Sequence, residues 1–198
     1  MDKKIRLATD MDASQILNIY KPYITDTVIT FENKVPSVEE FKERMKNIQS
    51  KYPWFVCEID GRIVGYAYAS KFHERIAYEW SVDFSIYIEQ SFHGKRIGKA
   101  LYYALLNTLK MQGFCNAYAI ITSPNVKSEA IHKSLGFKEM GTAKKSGYKM
   151  GKWLDVKWFE LQFNEHKENP DAPISIDVAA SKSEFEEIIK EAEKIIKY

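Results

Sequence analysis

A chain of 198 residues, 45% hydrophobic and 28% charged, has the composition of one globular domain with room for an appendage, which excludes wholesale disorder. A formal charge of +2 lacks the strongly basic field of a dedicated nucleic-acid binder. Cys57 and Cys115 are too few for a disulfide framework or a cysteine-rich zinc site, and with no signal peptide and no apolar run of about 18 residues the sequence reads as cytoplasmic, with free thiols and no membrane association.

The first strand is expected at Lys4–Leu7. Asp12, with Gln15 three residues on, marks a helix start, and Ile16, Leu17 and Tyr20 give that helix an apolar face. Pro22 is expected to end it or force a turn. Ser37 and Glu40 form a capping-box pattern ahead of a second helix with Val38, Phe41, Met45 and Ile48 at helical spacing. Trp54–Ile59 and Arg62–Ser70 flank Asp60-Gly61, a two-residue hairpin signal. A long strand is predicted over Tyr78–Ile88. There Trp80, Val82, Phe84, Ile86 and Ile88 alternate with Ser81, Asp83, Ser85 and Tyr87, which puts Asp83 opposite the large apolar side chains.

After a short basic loop a helix runs to Gln112, with Leu101, Leu105 and Leu109 on one stripe and Gly113 as its stop. Phe114–Ile121 reads as a strand, broken by Ser123-Pro124-Asn125. Asn125 caps a short helix ending at Leu135-Gly136. Phe137–Ala143 and Lys152–Phe163 read as the last strands. The domain thus spans 1–163, a polar linker with Pro170 and Pro173 spans 164–182, and an amphipathic helix spans 183–198. Phe185, Ile188, Ile189, Ala192, Ile195 and Ile196 share one face of that helix, which predicts docking on its own domain or on a second subunit. From Asn164 onward nine acids meet five lysines, so an acidic tail follows a mildly basic domain.

Three features are candidates for chemistry. The loop His93-Gly94-Lys95-Arg96-Ile97-Gly98-Lys99 follows a strand and opens a helix, where unpaired N–H groups and the helix dipole favour phosphate. It lacks the Gly-Lys-Ser/Thr ending of a Walker loop and the three-glycine dinucleotide spacing, and a solvated basic turn is the plainer alternative. Asp83 is either a cleft-facing acid or a surface carboxylate on a half-exposed sheet. His132 is either a proton carrier or a packed helical histidine. His73, His93 and His166 show no metal-ligand spacing with each other or with either cysteine, so no metal is predicted.

The order strand, basic glycine loop, helix, strand, Pro-Asn, helix, Leu-Gly-Phe resembles the GNAT-type N-acetyltransferase superfamily from Ile5 to Phe163. Within it the chain is similar to the phosphinothricin acetyltransferase branch. The stretches that carry the likeness are Thr27-Val28-Ile29-Thr30-Phe31-Glu32, Tyr52-Pro53-Trp54-Phe55-Val56, Gly65-Tyr66-Ala67-Tyr68-Ala69, Arg75 through Asp83, Ser123-Pro124-Asn125, His132 through Phe137, and Gly147 through Val156. The resemblance implies an α/β fold with a mixed, mostly antiparallel central sheet flanked by helices, here with a C-terminal helical extension. It implies acetyl transfer from acetyl-CoA to the primary amine of a small amino acid or analogue such as phosphinothricin or methionine sulfoximine. It also implies a homodimer; the aromatic strand around Trp153, Trp158 and Phe159 is either an interface for it or part of a large monomeric core.

By the same match the diphosphate of acetyl-CoA falls on His93, Gly94, Lys95, Arg96, Ile97, Gly98 and Lys99. His93 replaces the usual Gln or Arg, and Arg96 stands where the first glycine usually is. Ile86, Tyr87 and Ile88 would run beside the pantetheine, Asn125 would bind the cofactor and Ser134 would lie near it. Asp83 stands where the branch commonly has Glu and is about 1.5 Å shorter in reach, so it would act through a water. His132 would assist it. Phe31, Arg75 and Tyr78 match acceptor-pocket positions, and the planar fork of Arg75 suits a carboxylate or phosphinate. The rival readings are an acetyltransferase of a protein N-terminus or other amine, and a non-catalytic CoA-binding module.

Overall fold

In the computed structural model, which describes residues 2–197, local signals and elements agree best where the signal is a cap or a turn. Ser37 and Glu40 close a reciprocal capping box at the start of helix α2 (Val38–Gln49), with N···O distances of 3.1 and 2.7 Å. Strands β2 (Trp54–Ile59) and β3 (Arg62–Lys71) meet at Asp60-Gly61, both residues at positive φ. Helix α1 (Ala13–Thr25) contains Pro22 instead of ending there. The proline lies in the last turn, where it removes only one backbone bond, and burial of Tyr23 and Ile24 holds the turn in place.

The remaining strands are β1 (Lys3–Leu7), β4 (Ser81–Ile88), β5 (Asn116–Ser123), β6 (Lys138–Lys149) and β7 (Lys152–Gln162). The other helices are α3 (Ile97–Gln112), α4 (Val126–Ser134), α5 (Ile176–Ala180) and α6 (Ser183–Ile195). β4 starts later than its apolar alternation predicts, because Ile76–Tyr78 form a 3-10 turn. β6 runs past Ala143 to Lys149. Its lysines and glycines carry no strand pattern, and it is held by pairing with β7 through two register breaks. The stretch 164–182 contains α5 and is tied down by hydrogen bonds, so it is a strap over the domain instead of a free linker.

Among the described residues, seven strands form one sheet in the order β1-β2-β3-β4-β5-β7-β6, antiparallel except for β4 beside β5. One face carries α1 and α2 over a core that includes Ile16, Phe41, Trp54 and Tyr66. The other carries α3 over Phe55, Phe84, Leu101, Tyr102, Leu105 and Phe159, with α4 and α6 packed beside it through Ile131 and Ala192. α6 also closes the β1 edge: the Ile5 N–H donates to the Glu193 carboxylate at 2.9 Å. An edge strand whose outward N–H is already satisfied is a poor template for another chain. Among the described residues, no helix is long and apolar enough to cross a membrane.

Candidate active site

β4 and β5 pair over three positions only, Ser81 with Asn116, Val82 with Ala117 and Asp83 with Tyr118. β4 continues to Ile88 while β5 turns to follow β7 as far as Ser123. The sheet therefore opens into a V with Asp83 at its vertex, and among the described residues the β4 edge from Phe84 to Ile88 has no strand partner on that side. Unpaired strand edges present N–H and C=O groups to whatever lies in the gap. An extended amide-bearing chain such as pantetheine suits it, alongside Ile86, Tyr87 and Ile88.

The loop into α3 stands at the mouth of the V. Gly94 (φ +82°) and Arg96 (φ +61°) both adopt the left-handed conformation, and Arg96 is the N-cap of α3. The non-glycine residue at that position costs about 1 kcal/mol. The loop is anchored from below: the Tyr23 hydroxyl donates to the Ile88 carbonyl at 2.5 Å, and His93 Nε2 lies 3.1 Å from the same oxygen. His93 thus folds its ring back onto β4. A Cβ on Gly98 would meet Ile131 Cδ1 at 2.7 Å, so a larger residue at the first turn of α3 would have to displace that side-chain tip. The first N–H groups of α3 have no partner within the helix, and Lys95, Arg96 and Lys99 add positive charge, a donor set that fits a diphosphate. Asn125 accepts from Ser128 N at 3.2 Å as the cap of α4, and the exposed Ser134 hydroxyl donates to the Ile131 carbonyl at 2.8 Å.

Asp83 lies between Ser70 on β3 and Tyr118 on β5. Its Oδ1 is buried and has no hydrogen-bond partner among the described residues, and burial pushes the carboxyl up to about 7. A carboxylate that exchanges its proton near neutrality is suited to general-base work. His132 is only 3% exposed. Its Nδ1 is 2.7 Å from the Ser128 carbonyl and its Nε2 is 2.9 Å from the Tyr102 hydroxyl. The carbonyl requires a proton on Nδ1, so neutral Nε2 accepts from Tyr102. Burial holds the imidazole below its usual value. Phe137 and Phe159 complete its surroundings.

The structure therefore places the two candidate proton carriers on opposite faces of the sheet. Asp83 faces the α1–α2 side with Tyr68 and Tyr118, whose ionisation its charge opposes. His132 belongs to the α3–α4 side with Tyr102. They flank the V without a hydrogen bond between them.

On the Asp83 side, Tyr118 stacks on Phe72 at 4.0 Å and Phe72 meets Tyr78 at 5.6 Å. Arg75 and Tyr78 line a groove of about 620 Å³ with Lys51, Lys71 and Glu79, a groove whose lining includes neither Asp83 nor Phe31. Phe31 comes from a separate segment, between α1 and α2. Its ring covers Gly147 on β6, where a Cβ would approach it to 2.2 Å. That segment is fixed by Lys149 Nζ donating to the Thr30 carbonyl at 2.7 Å and by the Arg44–Glu32 ion pair at 2.6 Å. Sequence reasoning did not single out Tyr102, Tyr118 or Gly147. Tyr118 could have been found from its alternation in β5, whereas Tyr102 and Gly147 matter only through long-range packing. The Cys57 thiol is buried and pushed up to about 12, which makes it core and not a nucleophile.

The split between parallel strands and the basic left-handed loop at its mouth are features that the GNAT resemblance leads one to expect. Residues 5–158 match the acetyltransferase (GNAT) domain family, and the chain belongs to it. The chain is similar to the phosphinothricin N-acetyltransferase of Streptomyces viridochromogenes, 33% identical over 160 residues that cover 81% of this chain and 87% of the relative. It is similar to the L-methionine sulfoximine/L-methionine sulfone acetyltransferase of Salmonella typhimurium, 28% identical over 172 residues, 85% of this chain and 98% of the relative. A crystal structure of a phosphinothricin acetyltransferase from Sinorhizobium meliloti in complex with acetyl-CoA superposes with a TM-score of 0.82 at 33% identity, covering 89% of this chain and 99% of that one. The protein is an N-acetyltransferase of the phosphinothricin acetyltransferase-like branch, with acetyl-CoA as co-substrate.

Proposed function

We propose that the chain acetylates the primary amine of a small amino acid or analogue of the phosphinothricin or methionine sulfoximine kind. The observation that carries the mechanism is the Asp83 carboxyl at the vertex of the V, with Oδ1 orphaned and the group pushed up to about 7 by burial. Bound acetyl-CoA supplies the acyl carbon. An α-amine with a pKa of about 8 is mostly protonated at neutral pH and cannot attack until it loses that proton. Asp83 takes the proton through a bridging water. The backbone N–H groups left unpaired on β4 beyond Asp83 supply donors for developing negative charge. His132, neutral, buried and engaged at both ring nitrogens, takes no proton in this reading; it fixes the Tyr102 hydroxyl on the α3–α4 side. Transfer is direct, with no acyl-enzyme: the amine nitrogen bonds the acetyl carbon, the thioester C–S bond breaks, and the sulfur leaves as a thiol after taking a proton from water.

In this reading residues 93–99 hold the diphosphate, Ile86, Tyr87 and Ile88 flank the pantetheine, and Asn125 and Ser134 border the cofactor from α4. Phe31, Arg75 and Tyr78 line the acceptor site, with Arg75 as the fork for an anionic group. The enzyme works in the cytoplasm as a homodimer. Support for the dimer is the exposed aromatic pair Tyr148 (58%) and Trp153 (63%) on the β6–β7 hairpin. Phe159, a candidate for that interface, is instead fully buried in the core, because β7 turns it toward α3.

The test is release of CoA measured against a panel of amines. Turnover with phosphinothricin or methionine sulfoximine supports the proposal. Turnover restricted to peptide N-termini would replace the acceptor class, and CoA binding without turnover of any amine would indicate a non-catalytic module.

A further inference from the structure

The tail lies past the residues that match the family, yet it reaches the cofactor loop. Its strap is fixed by reciprocal bonds between Ile174 and Gln112, with Gln112 Nε2 donating to the Ile174 carbonyl at 2.8 Å and Ile174 N to the Gln112 carbonyl at 2.9 Å. α6 then runs back along α3, with Ala192 and Ile196 buried in the core. Beyond α6, Lys3 Nζ grips the Ile196 carbonyl at 2.9 Å, and the Lys197 N–H donates to the Lys95 carbonyl at 2.9 Å.

Lys95 immediately precedes Arg96, the non-glycine residue held at φ +61°. In a trans peptide the carbonyl of one residue and the N–H of the next point in opposite directions. A donor that fixes the Lys95 carbonyl toward α6 therefore fixes the Arg96 N–H away from α6. We infer that the C-terminal tail is a positioning element for acetyl-CoA: the Lys197 backbone N–H braces the Lys95–Arg96 peptide and holds the strained loop in its binding conformation. The brace replaces what a glycine at position 96 would provide without help, since glycine adopts this conformation with little strain. The inference rests on the reading that residues 93–99 hold the diphosphate.

Lys197→Pro removes the donor alone. Ile196 has an extended backbone (φ −64°, ψ 122°), which accepts a following proline. Calorimetric titration of the full-length variant should show acetyl-CoA binding about fivefold weaker, the equivalent of one hydrogen bond. Affinity for S-acetylpantetheine, which has no diphosphate, should not change. The KM for acetyl-CoA should rise while kcat and the KM for the amine hold. Lys197→Ala keeps the N–H and should restore wild-type binding. In an Arg96→Gly background the proline should cost less than twofold, because the loop no longer needs the brace.

Unchanged acetyl-CoA affinity in Lys197→Pro overturns the inference, as does equal weakening by Lys197→Ala, equal loss for S-acetylpantetheine, or full cost in the glycine background. A Lys95→Ala/Lys99→Ala double variant separates the two levels. If that variant binds acetyl-CoA normally, the loop reading has failed. If it binds weakly while Lys197→Pro binds normally, the brace alone has failed.

Discussion

Replacing Asp83 by Asn keeps the shape of the side chain and removes both its charge and its basicity, so it tests activity and stability together. An ordinary Asp carboxyl titrates near 3.8, and burial raises this one to about 7. That rise corresponds to at most about 4 kcal/mol of cost for carrying the charge above pH 7. Allowing for partial solvation of the site, about 2 kcal/mol is a working figure. The sign follows from the direction of the shift. Asp83 does not reduce stability below the unfolded value of about 4, and the penalty grows as pH rises to the folded value of about 7. Asp83→Asn should therefore melt about 4–8 °C higher than the parent at pH 8, with a smaller gain at pH 5. Its kcat/KM should fall by about 10²–10⁴, the usual contribution of a general base. In the parent, kcat/KM should fall as pH drops below about 7, where Asp83 becomes protonated. Differential scanning calorimetry at the two pH values, with CoA-release kinetics between pH 6 and 9, reads all three quantities. A pH-independent melting shift, or a loss in kcat/KM of less than about threefold, would refute the assignment of Asp83 as the poised base.

Arg96→Gly should raise the melting temperature by about 2–4 °C, because it relieves left-handed strain of about 1 kcal/mol, whereas Arg96→Val should lower it. His132→Ala leaves the Tyr102 hydroxyl buried without its acceptor and opens a cavity, so urea denaturation should show a loss of about 2–4 kcal/mol. The acid limb of kcat/KM should stay near pH 7 in that variant, since a histidine held below its usual value by burial does not set it. Gly147→Ala pushes a methyl into the Phe31 ring. Steady-state kinetics should show the amine KM raised about tenfold with the acetyl-CoA KM unchanged, and equal changes in both would remove Phe31 from the acceptor site.

Local chemistry made much of the fold legible. The Ser37–Glu40 box, the Asp60-Gly61 turn and the Gly113 stop each act within a few residues, so spacing alone reveals them. β6 runs past Ala143, farther than its own residue pattern predicts, because its stability comes from pairing with β7. Pro22 misled because a proline near a helix end costs little when the following turn is buried. The site was half legible. Asp83 stands out as a lone acid in an apolar alternation, and its orphaned oxygen gives that oddity a chemical use. That His132 lies across the sheet from it depends on which face receives α4, which no spacing encodes. The strain at Arg96 was equally invisible, since only the observed φ reveals it.

The three-pair contact between β4 and β5 also has a mechanical meaning. It joins two stiff half-sheets, β1 to β4 and β5 to β7, at one end only. The joint is clamped: the Trp80 carbonyl accepts from Cys115 N at 2.9 Å, Phe163 N donates back to the Cys115 carbonyl at 2.9 Å, and the Trp80 indole donates to Asp171 in the strap at 2.9 Å. Rotation about a clamped vertex displaces each point in proportion to its distance from it. Ile88 lies five residues beyond Asp83, a lever of roughly 17 Å. A rotation of about 5° therefore moves the mouth by roughly 1.5 Å and leaves the carboxyl almost where it was. Compliance is thus concentrated where a long cofactor must enter, and stiffness where a proton must be taken. Amide exchange should divide along the same line, with fast exchange along the free edge of β4 and slow exchange at residues 81–83.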